Sequence, residues 1–284
     1  MTMTKAKESE WKTWVWTNLH RGVSPQSLEE ELRKRNFTDG DIKSILGEAY
    51  RAETAPVDHE AIANCAVTKR VGKTPGLRQL VTKKAQVFTW QNFLSPEDCQ
   101  RTIALIDKNL RPSTVTDTRG DARVRTSSTC DLGDQPDPFV YELDRRIAAA
   151  LGIHWSYTEP NQGQKYLVGQ EFKSHTDFFE PGSPEYLPNT GERGQRTWTF
   201  MIYLNSTPEG GATRFPRLEK LFRPKEGMAV IWNNLTPDGS PNPYTLHHGM
   251  KPRRGEKYII TKWFRERGWG PMFAGADPVP GEAD

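Results

Sequence analysis

His175 and Asp177 stand two residues apart in the stretch Phe172-Lys173-Ser174-His175-Thr176-Asp177. On an extended strand, residues i and i+2 leave the backbone on the same face. An imidazole and a carboxylate at that spacing converge on one point without distorting the chain. Flanking Phe172, Phe178 and Phe179 suit a strand in a barrel wall. Two histidines and one carboxylate, with the opposite positions open, form the donor set that holds Fe(II) in non-haem oxygenases. The second histidine must come from far along the chain, where His247 and His248 are the only later histidines. Taken alone, His-x-Asp is a common tripeptide and is most often a hydrogen-bonded surface pair. What gives it weight is the rest of the chain.

The elements that must position these residues can be read in order. Residues 9–50 read as three short helices. Trp11, Trp14, Val15 and Leu19 follow helical spacing. Ser24-Pro25 is an N-cap followed by a proline at the first helical position, ahead of Leu28 and Leu32. Thr38 and Asp41 have capping-box spacing before Ile42, Ile45 and Leu46. Such a bundle is either a docking module or a cap on the main fold. Pro56, Gly72, Pro75 and Gly76 then punctuate a polar linker, with one helical turn expected around residues 61–66. Val87 to Trp90 is strand-like. Ser95-Pro96-Glu97-Asp98 opens a helix carrying Cys99, Ile103, Ile106 and Leu110 on one face. Val124 to Thr129 reads as a strand and Pro138 to Leu151 as a second amphipathic helix. Strands then dominate, around 166–168, 171–178, 197–204, 228–232 and 258–264. The Pro- and Gly-rich loop at 180–196 follows the His-x-Asp strand and is either a lid over the site or plain surface irregularity. Helices followed by strands between Gly/Pro turns give a mainly β fold with helical support, an α+β sandwich or jelly roll. The expected organisation is a helical module over 1–52, a linker over 53–84, the main domain over 85–270 and a tail over 271–284.

Composition narrows the function. The 284 residues carry a net charge of +3, too balanced to point to nucleic acid. No apolar run is long enough to span a membrane. Met1 to Trp11 is polar, with no secretory core, so a cytoplasmic location is expected. Cys65, Cys99 and Cys130 are odd in number and widely spaced, which argues against a disulfide framework and against a thiolate zinc site.

Three further features follow in order. Gly210-Gly211-Ala212-Thr213-Arg214-Phe215-Pro216 turns into a strand. Leu246-His247-His248-Gly249 is followed by Gly255-Glu256-Lys257-Tyr258, and then by Thr261-Lys262-Trp263-Phe264-Arg265-Glu266-Arg267. With Tyr166, Phe172, His175 and Asp177 before them, and with Asn92-Phe93-Leu94-Ser95 and Arg125-Thr126-Ser127, this order resembles the catalytic domain of the prolyl 4-hydroxylase family. That family belongs to the 2-oxoglutarate- and Fe(II)-dependent dioxygenases. The resemblance runs from about Phe88 to Gly268 and rests on the joint order of motifs that are individually weak.

The resemblance implies a double-stranded β-helix and a metal site of His175, Asp177 and a distal histidine. The family places that ligand ten residues before its basic residue, which selects His247 ahead of Lys257. Lys257 matches the residue that holds the distal carboxylate of 2-oxoglutarate. By position, Tyr166 and Thr199 look like hydroxyl residues assisting at that carboxylate, and Trp263 like a pocket-lining aromatic. Departures from the family pattern are His248 in place of a small residue, Phe172 for the second aromatic, Ala212 for an acidic residue and Lys251-Pro252 for Pro-Val. The implied activity uses Fe(II), 2-oxoglutarate and O2, with ascorbate as a possible helper, to hydroxylate peptidyl proline in a protein substrate. A free amino acid or another small molecule is the alternative substrate, and a non-catalytic binding module the alternative outside enzymes. The sequence carries no signal for an oligomeric state.

Overall fold

The computed structural model describes residues 5–114, 124–134 and 137–273. The expected tail therefore lies outside the described residues from residue 274 onward. Among the described residues eight α-helices run α1 Lys5–His20, α2 Pro25–Lys34, α3 Asp39–Leu46, α4 His59–Ala63, α5 Ala66–Arg70, α6 Pro96–Lys108, α7 Pro138–Leu151 and α8 Tyr186–Thr190. The strands are β1 Leu77–Gln79, β2 Val87–Trp90, β3 Arg111–Pro112, β4 Ser128–Asp131, β5 Gln162–Tyr166, β6 Phe172–His175 and β7 Arg196–Tyr203. They continue with β8 Glu209–Gly210, β9 Thr213–Phe215, β10 Lys220–Phe222, β11 Ala229–Asn233, β12 His247–Gly249, β13 Pro252–Arg254 and β14 Lys257–Arg265.

The helices begin where their caps dictate. The Ser24 hydroxyl accepts from Ser27 N ahead of Pro25, Thr38 and Asp41 form a reciprocal capping box, and Ser95 accepts from Asp98 N ahead of Pro96. Each satisfies backbone donors that the first helical turn leaves free. α7 starts on Asp137 and stops at Gly152, whose φ of 68° only glycine adopts without strain.

An eight-stranded antiparallel sheet runs β1-β2-β11-β7-β14-β5-β4-β3, and a four-stranded sheet runs β10-β9-β12-β6. They pack face to face as a double-stranded β-helix. Met201, Tyr203, Val230 and Trp232 of the large sheet meet Phe215 and Leu218 of the smaller one's side. The large sheet's other face lies under the helices, where Trp198, Phe200, Ile231 and Phe264 join a second, larger core with residues of α1–α3, α6 and α7. Packing there is close. A Cβ on Gly163 would stand 2.4 Å from Ile106 Cγ1, so α6 can cross β5 only over a glycine.

The first helix is bound into this core by aromatic rings. Trp16 packs at a tilt against Trp155, with ring centres 4.5 Å apart, and Trp155 meets Trp269 edge-on at 5.0 Å. No helix among the described residues is long and apolar enough to cross a membrane.

Local expectations differ from the fold at several points, and the strand placed at 166–168 runs instead over Gln162–Tyr166. The strand expected over 124–129 is shifted to Ser128–Asp131; Arg125 makes an isolated backbone bridge to Phe172, and its guanidinium donates to Thr129 Oγ1 and Gln162 Oε1. The helical turn near residues 61–66 is two short helices, α4 and α5. The 180–196 loop holds a helix of its own, α8.

Candidate active site

β6 delivers His175 as its last residue, and β12 delivers His247 as its first. The two are directly paired across the antiparallel ladder. Asp177 follows in a bend, so the strand expected over 171–178 stops at His175. The reason is visible in the hydrogen bonds. Gln195 takes both backbone groups of Phe179, accepting from its N and donating to its O at 2.7 Å each. A continuing strand would need those groups for its own ladder. The bend carries the Asp177 carboxylate across to β7, where Thr199 Oγ1 donates to its Oδ2 at 2.7 Å.

One potential ligand atom from each of His175, Asp177 and His247 lies within 4.8 Å of the others. His175 Nε2 is 3.8 Å from Asp177 Oδ1, and His247 Nε2 is 3.9 Å from Oδ2. Each ring is anchored at its other nitrogen. His175 Nδ1 sits 2.7 Å from Lys173 O and His247 Nδ1 2.9 Å from Thr245 O. A carbonyl only accepts, so Nδ1 carries the proton and Nε2 presents its lone pair. Burial, reinforced by His247, pushes His175 down to about 3 and keeps its imidazole neutral. Burial disfavours the Asp177 anion, but His247, His175, Arg196 and the Thr199 hydroxyl outweigh it, and the net shift is downward. The adjacent His248 leaves the strand on the other face and binds Glu171 Oε2 at 2.9 Å, as alternation requires.

Lys257 opens β14 with its side chain in the same pocket. It is 0% exposed, and no carboxylate among the described residues pairs with it. Its ammonium lies 3.9 Å over the Tyr166 ring. Burial alone pulls it down to about 7. Tyr166 presents its ring to Lys257 and donates its hydroxyl to Gln164 Oε1 at 2.6 Å. Thr199 lines the way to Asp177, and its hydroxyl is engaged there, accepting in turn from Asn234 Nδ2 at 2.8 Å. Trp263 lines the pocket with a buried indole N–H that has no partner. Phe172 stacks on the His175 ring at 3.5 Å.

Residues 161–265 match the 2OG-Fe(II) oxygenase superfamily. A probable prolyl 4-hydroxylase 10 of Arabidopsis thaliana is 31% identical over 210 residues, covering 66% of this chain and 71% of that protein. Probable prolyl 4-hydroxylase 3 of the same plant is 30% identical over 237 residues, covering 74% and 81%. The chain belongs to the prolyl 4-hydroxylase family. Among solved structures, the viral collagen prolyl hydroxylase of Paramecium Bursaria Chlorella virus-1, in its 2OG complex, aligns with a TM-score of 0.47. It does so at 24% identity, over 63% of this chain and 94% of that one.

As a member of the prolyl 4-hydroxylase family the protein is an oxygenase, and the family draws on Fe(II) and 2-oxoglutarate. The pocket fits both groups. Its nitrogen and oxygen donors suit divalent iron, and the lone Lys257 ammonium suits an anion, because a buried charge without a partner is costly.

Sequence reasoning passed over one cluster that this prolyl 4-hydroxylase relative builds beside the pocket. Arg196 lies 3.9 Å over the Trp263 ring. Glu159 bridges Arg196, at 2.7 Å, and Arg265, at 2.8 Å. Burial pushes Glu159 up, but the two guanidiniums outweigh it and hold it at about 2. The available signals were Arg196 at the start of β7 and Arg265 at the end of β14.

Proposed function

We propose that the protein hydroxylates proline within a peptide or protein. Fe(II) would sit on His175, Asp177 and His247, and the distal carboxylate of 2-oxoglutarate would lie against Lys257. The observation that carries this reading is the pairing, in one pocket, of a convergent His-Asp-His set with an unpartnered buried lysine. When bound, iron, 2-oxoglutarate and O2 supply oxidative decarboxylation to succinate and CO2, coupled to hydroxylation of a C–H bond.

The chain's own residues prepare that chemistry. The carbonyls of Lys173 and Thr245 fix the imidazole tautomers. The Lys257 ammonium gains a charge-assisted contact to the cosubstrate, which restores its proton. Phe172, Trp232 and Trp263 wall the pocket and keep water out. Arg196 holds the Trp263 indole from behind. The peptidyl-proline substrate is supported by the activity for which the relatives are named. A cytosolic, reducing setting suits three buried cysteines that form no disulfide with one another. Ascorbate would serve to reduce iron that has become oxidised between turnovers.

The test is succinate formation from 2-oxoglutarate with Fe(II), comparing proline-containing peptides with free proline. Peptide-dependent succinate and hydroxyproline, both lost in Asp177→Ala, are expected. Turnover stimulated only by free proline would move the substrate to a small molecule. Wild-type turnover in Asp177→Ala would displace the site.

A further inference from the structure

Asp177 is held by a directed chain of three buried side chains. Asp177 is 6% exposed, and Thr199 and Asn234 are 0% exposed. An ionised carboxylate only accepts hydrogen bonds, so the Thr199 hydroxyl must give its proton to Asp177 Oδ2. Its remaining lone pairs then take the Asn234 amide, which donates from Nδ2. The direction of the chain is therefore fixed as Asn234 to Thr199 to Asp177.

Two further features show that the arrangement is rigid and carries a cost. Asn234 is pinned at both backbone groups. Its N donates to Thr197 O at 2.6 Å, and its O accepts from Asn242 N at 2.9 Å. Its side-chain Oδ1 is buried with no partner. A buried amide oxygen without a donor is destabilising, and native structures keep few of them. The amide keeps that orientation because Nδ2 is what Thr199 needs.

We propose that Thr199 and Asn234 are positioning residues that make Asp177 a one-oxygen metal ligand. The hydroxyl commits Oδ2, which leaves Oδ1, with no hydrogen-bond donor among the described residues, as the oxygen free to ligate. Without the hydroxyl, the carboxylate is free to turn about its terminal bond and present either oxygen or both. This gives Thr199 a different role from contact with the cosubstrate carboxylate. It rests on the reading of His175, Asp177 and His247 as the metal site.

The experiment titrates the apo-protein with Co(II), a spectroscopic stand-in for Fe(II), by calorimetry and by its visible ligand-field bands. Thr199→Val keeps the shape and removes the hydroxyl, Thr199→Ser restores it, and Asn234→Leu removes the upstream donor. Thermal melts of the apo-proteins verify folding. Thr199→Val and Asn234→Leu should weaken Co(II) binding by about 10- to 100-fold and alter the ligand-field bands, with Thr199→Ser close to wild type. A folded Thr199→Val with wild-type affinity and spectrum overturns the proposal. If either apolar variant fails to fold, Thr199→Ser decides, since a serine that folds yet binds as weakly as the remaining apolar variant also overturns it. Asp177→Ala separates the two readings. If it too binds Co(II) like wild type, the metal site is misplaced. If it alone loses Co(II), the metal site stands and only the positioning role falls.

Discussion

Lys257 and Lys262 lie on the same strand, β14, five residues apart, and an odd spacing sends them to opposite faces of the large sheet. Both are buried to within 1%. On the helix side, Lys262 Nζ donates to Asp144 Oδ1 of α7 at 2.6 Å, and Asn161 donates to the same carboxylate oxygen. On the pocket side, Lys257 has an aromatic face and, among the described residues, no anion. One backbone thus carries the same side chain in two conditions. A paired buried charge fastens helix to sheet. An unpaired one is costly, and a carboxylate placed beside it relieves that cost.

The comparison can be broken at several points. The largest effect belongs to the pocket: Asp177→Ala should bring succinate formation to background while chemical denaturation shows a folded protein. Next comes the helix side. Asp144→Ala strands Lys262 and should destabilise the fold by about 3–5 kcal/mol in urea unfolding. Replacing the pair together, Asp144→Leu with Lys262→Met, should recover most of that loss.

Lys257→Met should do the opposite of Asp144→Ala, leaving the apo-protein as stable or more so while raising KM for 2-oxoglutarate. The pH dependence has a definite sign. The folded lysine lies at about 7, below its ordinary 10.5. Between those values the unfolded chain holds a proton that the folded one lacks, so apo stability rises with pH there, by at most about 1.4 kcal/mol per unit. Lys257→Met should lack this rise. In the wild type, 2-oxoglutarate binding needs the ammonium and should weaken above pH about 7. The smallest effect is expected at His248, which faces Glu171 and not the pocket. His248→Ala should leave Co(II) affinity unchanged and cost about 1 kcal/mol or less, whereas His247→Ala should abolish binding.

Much of the fold was legible because it is written locally. Ser24, Thr38 and Ser95 mark helix starts by chemistry acting within four residues. The longer strands β7, β11 and β14 show themselves by their apolar runs. β8, β9, β10 and β13 have two or three residues each, too few for a period, and exist because a partner strand pairs with them. The same division holds at the site. The spacing of His175 and Asp177 drew attention to that stretch, and the resemblance's ten-residue interval to Lys257 selected His247 over His248. That His175 pairs with His247, however, is a matter of register between strands more than seventy residues apart. Thr199 was placed on the pocket face, but which acceptor its hydroxyl meets depends on the bend after His175. The isolation of Lys257 is likewise invisible in its neighbours, since Glu256, beside it in sequence, turns outward to Lys165.

The ring contacts from Trp16 to Trp155 to Trp269 tie the first helix to the last described turn of the chain. Loosening α1 would therefore bare a broad aromatic surface on the enzyme proper, rather than shed a dispensable appendage. A version shortened to begin after residue 52 should be sticky and poorly soluble. In the intact protein, a red shift in indole emission should accompany the first detachment of that helix.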